Sequence, residues 1–195
     1  AGIGAQAVAA AIADARSRGD DRLVLEVIES NHKAISTYTR AGFETRRRLA
    51  GYTHDPVERG PEQPEDGALS CPADFVLPLL LDAWPKDASW QTSPLCFAGA
   101  TNPIEAFRND DRTAGALVDA SGSTVRLLAL AVQASRQRQG IGRRFMQSLL
   151  ARFADRPWAI SATLPAAQAA SFLTGTDWKQ TAVTQLEMEL SLADG

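Results

Sequence analysis

The residues best placed to do chemistry are Gln137-Arg138-Gln139-Gly140-Ile141-Gly142-Arg143-Arg144, where two glycines sit among arginines directly ahead of an amphipathic segment ending near Phe153. Small residues let a ligand approach the backbone, and the N–H groups opening a helix converge on an anion with the helix dipole behind them. The natural guest is a phosphate, and Arg136, Arg138, Arg143 and Arg144 could add charge-assisted contacts to it. The pattern is equally that of an ordinary helix start with solvated arginines. A P-loop does not fit, because no Lys-Ser/Thr follows the glycines. The dinucleotide fingerprint is approached by Gly2-Ile3-Gly4-Ala5-Gln6-Ala7 with Glu26 as the ribose acid, which keeps a nicotinamide-binding reading open as a third choice. Around Gly140 that reading weakens, since Phe145 and Ser161 replace the small residue and the acid.

Other reactive side chains are scattered. Tyr38, taken alone, reads as a semi-buried helix aromatic, and Glu26 could act as a base through water. Glu187 and Glu189 could line an amine site, although one face of a terminal strand is more simply solvent-exposed. His32 and His54 read as surface residues, Arg46-Arg47-Arg48 as an exposed strand end, and the four tryptophans as core or domain contacts. Cys71 and Cys96 have neither a CxxC nor a His pair nearby, so they read as small buried hydrophobes with no metal implied.

These residues need elements to carry them. Apolar spacing predicts a helix over Ala5–Arg18 capped by Gly19, a strand over Leu23–Ile28, and a helix opened by Asn31 and running to Arg40. A weakly alternating strand follows from Glu44 to Tyr52. Thr53 to Gly67 is rich in proline, glycine and acids, and reads as a linker. Beyond it come a proline-opened helix over Pro72–Trp84 that Pro78 should bend or break, a short helix over Pro94–Ala98, and three strands over 104–109, 114–119 and 124–132 in an antiparallel meander. The basic glycine turn and its helix, a strand over Trp158–Thr163, a helix over Ala166–Leu173 and a last strand or hairpin over Trp178–Leu192 complete the chain.

Glycine turn, helix, strand, helix, aromatic and strand thus occur twice in one order. Gly2-Ile3-Gly4 overlays Gly140-Ile141-Gly142, Tyr38 overlays Leu173, and Phe43 overlays Trp178, which is an internal repeat. The expected division is 1–52 as the C-terminal half of a first module, 53–70 as linker and 71–195 as a second module, with residue 1 an interior position of the first glycine turn.

Across the 195 residues, 20 basic and 23 acidic side chains give a net charge of −3, which offers no overall field for nucleic acid or an anionic membrane. No apolar run is long enough to span a bilayer and no signal-like start is present, so the default expectation is cytoplasmic.

Leu130 to Leu150 resembles the acyl-CoA motif of the GNAT N-acetyltransferases, with Gln/Arg-x-x-Gly-x-Gly/Ala matched from Gln137 to Gly142, and Leu23 to Phe43 resembles the motif that follows it. The resemblance implies an α/β mixed sheet in the GNAT acyl-CoA N-acyltransferase fold, one nearly complete module plus the C-terminal half of another, and acetyl-CoA as cofactor. It implies direct attack of an amine, from a small molecule or peptide, on the thioester in a ternary complex. The backbone N–H groups of Leu130, Ala131 and Val132 would face the acetyl carbonyl. Gln137, Arg138, Gln139, Gly140, Ile141, Gly142 and Arg143 would hold the pyrophosphate. In the first copy, Gly2, Gly4 and Asn31 would serve the cofactor and Tyr38 would protonate the departing thiolate. The second copy has Leu173 and Ala166 at the Tyr and Asn positions, and neither donates a proton, so the alternative is a non-catalytic CoA-binding or structural module. Exposed strand edges make a homo-oligomer plausible.

Overall fold

The computed structural model describes residues 2–56, 67–84, 88–98, 103–173 and 176–192. The chain forms two compact units: one is assembled from two separate stretches, residues 1–50 with 182–195, and the other is the single stretch 51–181.

The first unit begins with α1 (Ile3–Arg18), an Ala-rich helix that ends where Gly19 turns left-handed at φ 74°. There the Gly19 and Asp20 N–H groups donate to the Arg16 and Ala15 carbonyls. β1 (Arg22–Ile28) follows, then α2 (His32–Arg40), whose cap Asn31 accepts a hydrogen bond from the Ala34 N–H. The unit is completed by the first part of β2 (Glu44–His54) and the last part of β8 (Lys179–Ser191). β8 pairs antiparallel with β1, setting Leu25 against Met188, Glu26 against Glu187 and Val27 against Leu186. On the apolar side Val27, Phe43 and Met188 form a core, and Val8, Ile12 and Ile35 bring α1 and α2 down on it.

The second unit is built on the antiparallel run β3 (Leu69–Cys71), β4 (Ile104–Arg108), β5 (Ala114–Asp119) and β6 (Val125–Val132). The β4–β5 turn is set by buried Asn109, which accepts from the Thr113 and Ala114 N–H groups and donates to the Thr113 hydroxyl. α3 (Ala73–Asp82) and α4 (Pro94–Ala98) belong to the same unit, with a short 3-10 turn over Trp90–Thr92 before α4. Val76 and Leu80 of α3 pack on Ala106 and Leu117. Gly115 admits the helix: a Cβ there would lie 2.7 Å from Val76 Cγ1. After the glycine turn come α5 (Ile141–Arg152), β7 (Trp158–Pro165) and α6 (Ala166–Leu173). α5 buries Phe145, Met146, Leu149 and Leu150.

Several sequence expectations change. Pro78 does not break α3, which runs through it. Its missing N–H deprives only the Asp74 carbonyl, in the exposed first turn, while the Val76/Leu80 face holds the helix in place. Thr53 and His54 lie in β2, and Leu69 and Ser70 in β3, so both ends of the expected linker are strand; its middle, 57–66, is outside the described residues. Cys96 and Trp90 are exposed rather than buried, whereas His54 is 5% exposed and packs edge-on against Trp178.

Candidate cofactor and acyl-transfer site

β6 leads into the loop through Gln133, whose N–H donates to the Thr113 carbonyl, and a 3-10 turn over Ala134–Arg136. Arg138 and Gly140 then take left-handed conformations, φ 59° and 77°, and α5 starts at Ile141. Two left-handed residues in three wrap the chain around the helix start, where the opening N–H groups have no partner within the helix. Gln137 donates from Nε2 to the Val132 carbonyl at 3.0 Å, and Gln139 to the Ser135 carbonyl at 3.3 Å. These two side chains brace the loop. Arg144 donates to the Gln139 carbonyl at 3.4 Å, and a Cβ on Gly140 would lie 3.1 Å from its Nη1. Gly142 has a packing reason as well: a Cβ there would sit 3.2 Å from Val132 and 3.3 Å from Phe172. Together the loop offers backbone donors at a helix start with arginines beside it, which suits a phosphate.

Beside the loop lies a cleft. β6 pairs in parallel with β7 at Val125/Trp158 and Arg126/Ala159, at the start of both strands. A register shift at Leu117/Val118 bends β6 against β5. Toward Val132 the side chains of β6 are only partly buried, and a cavity of about 170 Å³ opens between Leu128–Ala131 of β6 and Thr163–Pro165 of β7, with Leu80, Trp84 and Pro94 on its other wall. Leu130 and Ala131, expected beside an acyl group, line it; Val132 lies instead at Gly142. The remaining walls escaped sequence reasoning, because apolar residues around a cleft carry the same signal as core.

Gly2, Gly4, Asn31 and Tyr38 belong to the first unit. Gly2 caps α1 in extended conformation, and a Cβ at Gly2 or Gly4 would meet nothing within 4 Å, so neither glycine is required by packing. Asn31 is exposed and spends its Oδ1 on the α2 cap. Tyr38 is half-buried, its ring edge-on to Phe43 at 6.0 Å. In the second unit, Leu173 is 5% exposed.

Three carboxylates of the first unit, Glu29, Glu187 and Glu189, are engaged by arginines. Glu187 is 1% exposed and accepts hydrogen bonds from Arg47 at 2.8 Å and Arg46 at 3.3 Å. Glu189 pairs with Arg22 and Arg46. The expectation of a solvent-exposed glutamate face with a freely exposed Arg46–Arg48 triplet is therefore corrected: the alternation of β8 was legible, but its partners on β2 were not. Glu29 is held below the usual carboxylate range by the Arg48 guanidinium and the Thr184 hydroxyl, which both donate to it. Such charge pairing neutralises the face and leaves Glu187 poorly suited to an amine.

Comparison with known proteins bears on the fold. Residues 1–43 match the acetyltransferase (GNAT) family. A functionally unknown conserved protein from Staphylococcus epidermidis superposes with a TM-score of 0.63 at 12% identity, over 95% of this chain and 79% of that one. Two GCN5-related N-acetyltransferases from Kribbella flavida superpose with TM-scores of 0.62 and 0.59 at 12% and 18% identity, covering 94% and 95% of this chain and 46% and 76% of theirs. This chain thus spans less than half the length of the first Kribbella protein. No match was found among curated proteins. The class is therefore an α/β protein with a mixed sheet in the acetyltransferase fold. The family match itself rests on residues 1–43, and over the rest of the chain the likeness to these proteins is one of fold. Among the described residues no helix is long and apolar enough to cross a membrane.

Proposed function

We propose that the chain is part of an acetyl-CoA-dependent N-acyltransferase, in which the second unit takes the cofactor and an amine attacks its thioester directly. The observation that carries this reading is the left-handed Arg138/Gly140 loop at the start of α5, adjoining the splayed end of β6. The backbone N–H groups of residues 138–143 would hold the pyrophosphate, with Arg136, Arg138 and Arg143 supplementing them. The bound cofactor supplies an activated acyl group; the chain orients it, and the Leu130–Val132 backbone stabilises the charge that develops on its carbonyl oxygen. Tyr38 is the proposed proton donor of the first copy, by resemblance.

The two-copy reading is part of the proposal. It is supported by Gly51, where a Cβ would lie 3.0 Å from the Ala162 nitrogen. The offset that lays Phe43 on Trp178 also lays Val27 on Ala162, and Gly51 on Leu186, the β1 partner of Val27. A second reading, a CoA-binding module without catalysis, is favoured by Leu173 and Ala166 at the donor positions.

Calorimetric titration with acetyl-CoA tests the cofactor site. We expect one site per chain, and at least a hundredfold loss in Gly140→Asp, which puts bulk and negative charge at a left-handed position against the phosphates. Absence of binding by the unmodified chain, or equal binding by the variant, refutes this placement.

A further inference from the structure

The cleft between β6 and β7 has room for more than an acetyl group, and its walls are chemically uniform. It measures about 170 Å³. An adjoining cavity of about 110 Å³ shares Thr92, Leu128, Thr163 and Leu164 with it and reaches Leu127 and Ile160, closer to the point where the strands meet. Among the described residues lining the larger cavity, none carries a titratable side chain. Its two hydroxyls are already committed: Thr92 donates to the Ser89 carbonyl at 2.8 Å, and Thr163 to the Ser161 carbonyl at 3.4 Å. The side chain of a guest there finds no charge to pair with, and neither threonine hydroxyl has a proton left to donate to it.

Volume then sets the size of the guest. A dry apolar cavity of about 150 Å³ takes a molecule the size of benzene. We propose that the cleft holds the acyl chain of the donor, and that this chain has about six carbons, aliphatic or aromatic. The donor is then a medium-chain or aromatic acyl-CoA thioester rather than acetyl-CoA alone. This rests on the CoA reading above and refines its substrate. In the step served, the amine nitrogen bonds to the thioester carbonyl carbon, the carbon–sulfur bond breaks, and the proton lost by nitrogen ends on the CoA sulfur. The room is made by small side chains: Ala83 at the end of α3, Ala88, and Ala129 and Ala131 on β6.

Calorimetry on the full chain with CoA, acetyl-CoA and hexanoyl-CoA tests the proposal, together with Ala83→Leu and, should that variant fail to melt cooperatively, Ala88→Leu. Hexanoyl-CoA is expected to bind at least about tenfold more tightly than acetyl-CoA, since four further methylenes leave water. The substitution should bring that ratio close to one. Equal affinities for the two thioesters, or a preference unmoved by both substitutions, overturn the acyl pocket while leaving CoA binding in place. Failure of all three ligands to bind overturns the CoA reading as well.

Discussion

A carboxylate that is 1% exposed, as Glu187 is, must find its counter-charge inside the protein, and two arginines supply it from a strand 140 and 141 residues earlier in the chain. Removing one partner leaves charge behind. Arg47→Met is expected to cost about 3 kcal/mol in urea unfolding, and adding Glu187→Leu should recover most of that loss, because the pair together can be replaced by apolar volume. A single-variant cost below about 1 kcal/mol would mean that Arg46 alone satisfies Glu187. At this scale the sequence was informative about type and silent about company. The alternation of Leu186, Met188 and Leu190 with Glu187 and Glu189 gave the two faces of β8. Nothing local to Arg46-Arg47-Arg48 said that these arginines would be spent on Glu187, Glu189 and Glu29.

Elements were the most legible level, for a physical reason: capping and periodicity act over a few residues. Asn31 opens α2, Gly19 closes α1, and the short helix at Pro94–Ala98 stands where it was expected. Pro78 shows the limit, since a helix tolerates a proline when packing repays the lost bond, and packing is not local. The contact between α3 and β5 can be tested at Gly115, where a Cβ would lie 2.7 Å from Val76 Cγ1. Gly115→Val is expected to destabilise the protein by about 1–3 kcal/mol, the usual range for overpacking. Combination with Val76→Ala should relieve part of it, and additive losses in thermal unfolding would show that the two positions do not compete for space.

For the whole molecule, the informative fact is that the last strand, from Ala182 onward, belongs to the first unit. Met188 sits in its core and residues 185–191 pair along β1. A chain ending at Thr181 would leave β1 without that partner and open the core. We expect amide protons of α1, β1 and α2 to lose their exchange protection in such a truncation, and retained protection would show that these elements hold together without β8. The amino-acid sequence by itself determined most of the elements and the glycine turn that opens α5, because turn chemistry and helix starts are encoded in adjacent residues. Only the tertiary structure decided which strand completes which unit, which arginines neutralise the buried glutamate, and that a cleft with apolar walls opens where β6 leaves β7. Those outcomes depend on register and close approach between residues far apart in the chain, and an apolar residue reads the same in sequence whether it faces a core or an empty pocket.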